Sequence, residues 1–381
     1  MTIRGSQLTV TWHVDDLKMS HKDPFEVTRL CAYLNDIYPG LVVHRGKVHD
    51  YLGMTLDLSK KGKLEVSMIP YLIGVLRNFP EELGAATASP ASEHLFQVRP
   101  DNERDVLPEE QAQAFHHTVA QLLFMSTRAR RDIQTAVSFL TSRVKSPDQD
   151  DWFKLRRCLK YLKGTIGLKL TLSVDDMSVI KWWADASYAV HDDCKGHTGY
   201  MMSLGEGAVT SASRKHKLNV KSSTESEIVG ADDTLPQALW TRYFIEAQGY
   251  AIDKMILYQD NKSAILLETN GKFSSSKRTK HIKTRFFFIK DKIASGELEV
   301  QHCPTKIMWA DVLTKPLQGK AFYEMRAKLM GCPVYWEDDF AWDTEIAQID
   351  KDKTVPSWGV LSYKDMVKTT SPQECVEDST N

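Results

Sequence analysis

The order of strand-like and helix-like segments after Gly164 most constrains the fold of this 381-residue chain. Short apolar runs come first, a long helical pattern extends from about Glu225 to Ala247, and strands and helices then alternate. This order predicts an α+β or α/β arrangement with one mixed β-sheet flanked by helices. Pro236 should kink or split the long helix because proline lacks a backbone N–H. The predicted strands are Leu168–Leu172, Val179–Ala184, Thr198–Leu204, Ala208–Ser211, Met255–Gln259 and Leu298–Cys303.

The first half of the chain predicts further elements. Apolar and polar residues alternate over Leu8–Val14, which indicates a half-buried strand. The segment Gly84–Asp105 is rich in Ala, Ser, Pro and charged residues, so we place a first domain boundary there. The other predicted elements are a helix over Pro24–Ile37, a hairpin turn at Lys60–Lys63, a helix over Pro70–Phe79 and about three helices between Pro108 and Thr165. The predicted domains are therefore 1–90, 91–172 and 173–330, followed by an acidic, loosely ordered tail at 331–381.

Charge is balanced over the whole chain but not along it. The 49 Lys and Arg residues against 50 Asp and Glu residues give a formal net charge of −1, which alone argues against a polyanion-binding protein. Between Leu122 and Lys163, however, 10 basic residues stand against 4 acidic ones, and between Lys272 and Lys292 there are eight against one. Basic stretches of this kind are suited to contacts with a phosphate backbone.

Composition also excludes two classes of protein. No run approaches 18 apolar residues, so no transmembrane span is expected. The six cysteines lie far apart and form no CxxC pair. This usage is typical of buried thiols in a reducing compartment, and it predicts an intracellular protein.

Several acidic residues occupy the ends of predicted strands or the starts of predicted helices. Asp185 and Asp260 end strands, Glu225 and Glu227 open the long helix, and Asp311 begins the last helical part. Acids at such positions can converge beyond one edge of a sheet. Because clustered carboxylates repel one another, their natural partner is a hard divalent cation, Mg²⁺ or Mn²⁺.

Seven short sequence motifs between Lys181 and Leu329 resemble the ribonuclease H domain of copia-type retrotransposons. They are, in family order, ADASYA, GHTGYMMSLG, SSTESEI, ALW, QDNKSAI, TKHIKTR and ADVLTKPL. The resemblance implies a ribonuclease H-like mixed sheet and a nuclease that uses two Mg²⁺ or Mn²⁺ ions to hydrolyse the RNA strand of an RNA–DNA hybrid. It also implies that the catalytic and metal-binding acids are Asp185, Glu227, Asp260 and Asp311.

The choice between Glu225 and Glu227 rests on the residues that follow each of them. In related ribonucleases H an aliphatic or aromatic residue follows the catalytic Glu, and Ala or Gly comes two positions after that. Glu227, followed by Ile228, Val229 and Gly230, fits this frame better than Glu225. The alternative is that Thr224 and Glu227 form a Thr-x-x-Glu capping box at the helix start, which would leave Glu225 to face the metals.

The resemblance extends upstream to the copia-type reverse transcriptase. WHVDDLKMS resembles its aromatic-x-Asp-Asp hairpin, which implies that Asp15 and Asp16 lie where polymerase metals bind, although His13 replaces the usual aromatic residue. YLGMTLDLS, RRDIQTAVSFLTSR and LRRCLKYLKGT match the polymerase and its connection in order. Only 14 residues precede Asp15, so the earlier palm strand with a further metal-binding Asp is missing, and nucleotide addition by this chain alone is not expected. The chain is thus interpreted as a truncated palm, a helical connection and a ribonuclease H domain.

The motif TKHIKTR predicts a nucleic-acid contact. The resemblance implies that Lys280, His281, Lys283 and Arg285 meet backbone phosphates, which supply affinity without reading base sequence. The expected partners are an RNA–DNA hybrid and other Gag or Pol products of a retrotransposon, in a cytoplasmic particle or the nucleus. The alternative function is a catalytically silent relic or a co-opted nucleic-acid-binding module.

Overall fold

The computed structural model describes residues 2–270 and 283–335, and the strands and helices within these ranges are numbered in chain order. The strands are β1 Thr2–Ile3, β2 Ser6–Gln7, β3 Thr9–His13, β4 Asp16–Ser20, β5 Val48–Tyr51, β6 Met54–Asp57, β7 Lys63–Ser67, β8 Leu170–Ser173, β9 Val179–Ser187, β10 His197–Ser203, β11 Thr210–Lys215, β12 Lys254–Gln259 and β13 Glu299–His302. The helices are α1 Pro24–Ile37, α2 Ile69–Asn78, α3 Glu109–Ser126, α4 Gln134–Arg143, α5 Gln149–Gly164, α6 Ser223–Ala247, α7 Lys262–Asn270, α8 Lys283–Ala294 and α9 Gly319–Met330. A 3₁₀ turn, Trp309–Leu313, precedes α9.

A five-stranded mixed sheet organises the C-terminal half. Its strand order is β11-β10-β9-β12-β13. β9, β10 and β11 pair antiparallel as consecutive strands, whereas β12 and β13 add in parallel on the other side of β9. The parallel strands require crossovers, and α6 and α8 supply them. The predicted fold class, a mixed sheet flanked by helices, is confirmed.

β9 is buried on both faces of this sheet. Ile180 and Trp182 pack on one face with residues of α6, including Leu235. Trp183 points to the opposite face, where it packs with Met201 in a second core that contains α3, α4, α5 and α9. Burial on both sides explains why β9 reads as a nearly continuous apolar run before Asp185.

Helix α6 continues through Pro236, so the expected split is wrong, whereas the alternative of a kink at Pro236 stays a prediction. Leu235 and Leu239 flank the proline and are both buried against the sheet. Tertiary packing of this kind supplies most of the stability of a helix in a protein, so it can offset the one hydrogen bond that proline removes.

A second sheet lies in the N-terminal half. Its order is β5-β6-β7-β8, and all its pairs are antiparallel. β8 follows the three predicted helices, now α3, α4 and α5, and returns to pair with β7. This pairing joins segments on both sides of the predicted boundary near residue 90. The predicted domain limits stay a prediction.

The hairpin of β3 and β4 is the clearest departure from the burial that the sequence pattern predicts. Leu8 is buried, but Val10, Trp12 and Val14 are exposed, with Trp12 at 75% and Val14 at 77%. The alternating pattern correctly predicts a strand here, but it wrongly predicts that the apolar side chains of this strand are buried. β3 pairs only with β4 among the described strands, and a two-stranded ribbon cannot bury its own apolar face.

Within residues 2–270 and 283–335, no helix is both long enough and apolar enough to span a membrane.

Candidate functional site

Three carboxylates converge at one edge of the mixed sheet. Asp185 lies near the end of β9, Glu227 lies in the first turns of α6, and Asp260 follows β12 directly. One oxygen of each carboxylate lies within 4.8 Å of the others, a separation that a single bound cation could bridge. β9 and β12 are adjacent and parallel, so the ends of these strands meet at the same edge. The predicted convergence of acids from strand ends and helix starts is therefore found for these three residues, and their role as metal ligands stays a prediction.

Glu227 is buried, and one of its carboxylate oxygens lacks a hydrogen-bond partner among the described residues. The residue is 7% exposed, and its Oε2 atom has no hydrogen-bond partner among the described residues. Burial, followed by the charges of Asp185 and Asp260, raises the pKa of Glu227 well above its ordinary value. An unpaired buried carboxylate oxygen beside two other acids is costly to bury, and a bound cation could compensate for that cost.

Glu225 contributes hydrogen bonds at the N-terminus of helix α6. The N-cap residue is Ser222, whose hydroxyl accepts from the Glu225 backbone N–H at 3.2 Å. The Glu225 carboxylate in turn accepts from the Lys221 backbone N–H at 2.8 Å. The alternative capping box of Thr224 and Glu227 is not formed, because the N-cap residue is Ser222 and the helix begins two residues earlier than that frame requires. The choice of Glu227 as the metal-facing residue remains a prediction, but the geometry favours it.

Asp311 approaches the three acids from the 3₁₀ turn before α9 without joining their 4.8 Å group. Burial, followed by the charge of Asp185, raises the pKa of Asp311 to about 7, while Lys315 opposes this shift. The Lys315 Nζ atom lies 2.8 Å from Asp311 Oδ1 and 3.5 Å from Asp185 Oδ2. Burial lowers the pKa of Lys315, but the charges of Asp185 and Asp311 outweigh it and raise the pKa above its ordinary value.

Two hydroxyl groups orient the aspartates. The Thr314 hydroxyl donates to Asp185 Oδ2, and the Thr305 hydroxyl donates to Asp260 Oδ2 at 3.0 Å. Sequence reasoning assigned no role to Thr305, Thr314 or Lys315. The only available signal was that Thr314 and Lys315 stand inside the family motif ADVLTKPL, three and four residues after Asp311.

Asp15 and Asp16 lie away from any comparable cluster. Both are exposed, at the turn of the β3–β4 hairpin, and His13 pairs with Asp16 across it. In the described part of the chain, neither belongs to a group of three His, Cys, Asp or Glu ligands. Their role as polymerase metal ligands stays a prediction.

The predicted nucleic-acid contacts fall at the edge of the described residues. Lys280 and His281 lie outside them, and Lys283 is described only as the first residue of helix α8. Arg285 forms ion pairs with Asp232 and, at 3.4 Å, with Asp233, both on helix α6. These pairs attach α8 to α6, so a phosphate contact by Arg285 would compete with them. The nucleic-acid role of all four residues stays a prediction.

Sequence comparison places the chain among transposon proteins, although no protein-family model matches it. It is 27% identical over 325 residues to a "Retrovirus-related Pol polyprotein from transposon TNT 1-94" of Nicotiana tabacum, covering 84% of this chain and 24% of the relative. It is 33% identical over 202 residues to the corresponding polyprotein from transposon RE2 of Arabidopsis thaliana, covering 52% and 14%. The chain is a relative of copia-type retrotransposon Pol polyproteins. The predicted family resemblance is confirmed, and the chain spans about a quarter or less of these relatives.

Solved structures of reverse transcriptases and ribonucleases H are also similar to this Pol relative. A foamy viral protease–reverse transcriptase solved in complex with an RNA/DNA hybrid aligns with 78% of this chain and 36% of its own, at a TM-score of 0.47 and 13% identity. Ribonuclease H1 from Halobacterium salinarum aligns with 35% of this chain and 93% of its own, at a TM-score of 0.27 and 13% identity.

Proposed function

We propose that this chain is a ribonuclease H-type nuclease that hydrolyses the RNA strand of RNA–DNA hybrids with divalent cations held by Asp185, Glu227 and Asp260. The observation that carries the proposal is the convergence of these three carboxylates within 4.8 Å at one edge of a mixed sheet. The similarity to retrovirus-related Pol polyproteins supports the same function.

The residues present fit a hard divalent cation. All three offer carboxylate oxygens, the ligand type that Mg²⁺ and Mn²⁺ prefer. Glu227 Oε2 is buried without a partner among the described residues, as expected for an oxygen reserved for an ion. When bound, such ions supply Lewis-acid stabilisation of charge at the phosphodiester and lower the pKa of water.

The side chains of this chain would hold the site open and aligned. Asp185 and Asp260 are each oriented by one threonine hydroxyl, which leaves their other oxygens for ligands. Glu227 is fixed on the first turns of a helix that packs closely on β9, since Gly230 lies where a Cβ would be 3.0 Å from the Ala186 Cβ. Asp311 would add the fourth acid from the 3₁₀ turn. Rigid placement of this kind is what a positioning-dependent hydrolysis requires.

The proposed substrate is recognised through its backbone and shape. Lys280, His281, Lys283 and Arg285 would contact phosphates, while the RNA 2′-hydroxyl groups would distinguish hybrid from duplex DNA. RNA-directed DNA synthesis by this chain is not proposed. In the described residues, Asp15 and Asp16 have no third acid beside them.

Cleavage of a hybrid labelled in its RNA strand tests the function. We expect Mg²⁺-dependent cleavage by the wild-type chain and none by Asp260→Asn, with hybrid binding retained in both. Asp253→Asn is the matched control, because Asp253 is exposed at the opposite end of the same strand. If the chain binds hybrid without cutting it and Asp260→Asn behaves as wild type, the alternative of a silent binding module is correct and this proposal is wrong.

A further inference from the structure

A lysine ammonium group lies inside the acidic site. Among the described side chains, Lys315 is the ion-pair partner of both Asp185 and Asp311. Its Nζ atom bridges Asp311 Oδ1 at 2.8 Å and Asp185 Oδ2 at 3.5 Å. The site is therefore asymmetric, because the Lys315 ammonium group lies on the side of Asp311.

We propose that Lys315 is an internal counter-ion that occupies the Asp185–Asp311 side of the site in the metal-free protein and that a divalent ion bridging these two carboxylates must displace it. The inference rests on the proposed function insofar as the acids bind metal. It goes further by assigning an order: one ion enters at Asp185, Glu227 and Asp260, and the second competes with Lys315.

The order follows from the geometry of the four acids. Asp185, Glu227 and Asp260 have oxygens within 4.8 Å of one another, and neither Glu227 nor Asp260 has an ion pair within the described residues. An ion can enter there while the ammonium group stays at Asp311. A second ion between Asp185 and Asp311 would bind the same two carboxylates that Lys315 contacts, and two cations repel at such a distance.

Lys315 can leave without unfolding the turn. Its side chain is 39% exposed, so solvent reaches the flexible four-carbon stem. Its backbone is held separately, because the Lys315 N–H donates to the Asp311 carbonyl oxygen at 2.8 Å. Pro316 follows and restricts the Lys315 backbone further. Displacement of Lys315 therefore requires rotation of one side chain and no change in the main chain.

A titration with Mn²⁺ tests the inference. Binding is monitored by calorimetry and by the electron paramagnetic resonance signal of free Mn²⁺. We expect one tight and one weak class of site in the wild-type chain. Lys315→Met, which keeps the length of the side chain and removes its charge, should tighten the weak class by about tenfold, a typical coupling between linked binding events, and change the tight class much less. Lys315→Arg should behave as wild type. Lys320→Met is the matched control, since Lys320 is exposed on nearby α9.

An unchanged or weakened second class in a folded Lys315→Met chain would overturn the inference. A second measurement uses the wild-type chain alone, in case that variant does not fold. The rate at which an amine reagent modifies Lys315, read by mass spectrometry, should rise with Mn²⁺ while that of Lys320 stays constant; no rise at Lys315 would overturn the inference. Failure to cut hybrid despite the expected Mn²⁺ results would refute the proposed function only, whereas absence of any Mn²⁺ binding would refute both.

Discussion

Gly199 lies opposite Asp185 on the neighbouring strand and leaves room there for the turn that holds Thr314. A Cβ atom at position 199 would lie 2.6 Å from Leu313 Cβ and 2.8 Å from Thr314 Cγ2. Thr314 in turn donates its hydroxyl hydrogen bond to Asp185. The absence of one side chain on β10 therefore lets the C-terminal turn reach the first acid of the site.

Gly199→Ala should displace this turn. We expect a loss of about 1–3 kcal/mol in the free energy of unfolding, as for other overpacked positions. Cleavage should fall by about 10- to 100-fold, because small misplacements of reacting groups are costly. Urea unfolding and hybrid cleavage measure the two effects. Gly74→Ala is the control: it lies in helix α2 with open space around it, so it should stabilise by about 0.5–1 kcal/mol. Equal behaviour of the two variants would contradict the close approach of the turn.

The matched pair Glu227→Gln and Glu225→Gln separates the metal-facing glutamate from the capping one. Glu227→Gln removes the charge of an orphaned buried oxygen, so cleavage and tight Mn²⁺ binding should fall at least about 100-fold. Glu225→Gln retains an oxygen that can accept from the Lys221 N–H, so cleavage should change little and the helix should lose at most about 1 kcal/mol. Rates with labelled hybrid decide between them, and a larger loss in Glu225→Gln would reverse the assignment.

Glu268 should make the free energy of unfolding fall as the pH rises. It is completely buried on helix α7 beside the Gln259 side chain, and burial raises the pKa of Glu268 to about 8 from 4.5. Between these two pH values the folded state binds a proton that the unfolded state has released. The stability contributed by this group is therefore fully present below pH 4.5 and is lost as the pH rises toward 8, by up to about 1.4 kcal/mol per pH unit.

Glu268→Gln should remove this dependence. We expect the variant to match wild type near pH 4.5 and to exceed it increasingly from pH 6 to 8 in urea unfolding. Glu324→Gln, at an exposed position on helix α9, should leave the pH profile unchanged. A parallel profile for wild type and Glu268→Gln would show that Glu268 is ionised in the folded protein.

Asp132 anchors a buried polar network in the N-terminal core. Arg130 donates two hydrogen bonds to its carboxylate, at 2.8 and 3.0 Å, and the Tyr161 hydroxyl donates a third at 2.6 Å. Asp132→Asn would leave the buried Arg130 charge without its partner, so we expect a loss of about 3–5 kcal/mol. The exposed pair of Asp150 and Arg99 is the control, where Asp150→Asn should cost less than about 1 kcal/mol. Thermal and urea unfolding of both variants measure the difference, and similar losses would contradict the burial of the network.

Local patterns were sufficient for most of the secondary structure and for two acids of the candidate site, Asp185 and Asp260. Helix α1 has the predicted bounds of Pro24 and Ile37, and each strand of the mixed sheet overlaps its predicted range. Asp185 and Asp260 could be placed because the end of a strand is a local property and adjacent parallel strands end at one edge. Glu227 was selected by the family motif, and the cap formed by Glu225 then accounted for the other acid.

The tertiary structure determined which distant residues contact one another and which side chains are buried, and local sequence patterns do not contain this information. The sequence shows Lys315 four residues from Asp311, but only the fold brings it 3.5 Å from Asp185, 130 residues earlier in the chain. Trp12 and Val14 follow a strand period, yet their exposure depends on the absence of a packed partner for β3 among the described residues. Periodicity indicates the conformation that a segment prefers. The burial and ion pairing of its side chains depend on which distant segments pack against that segment.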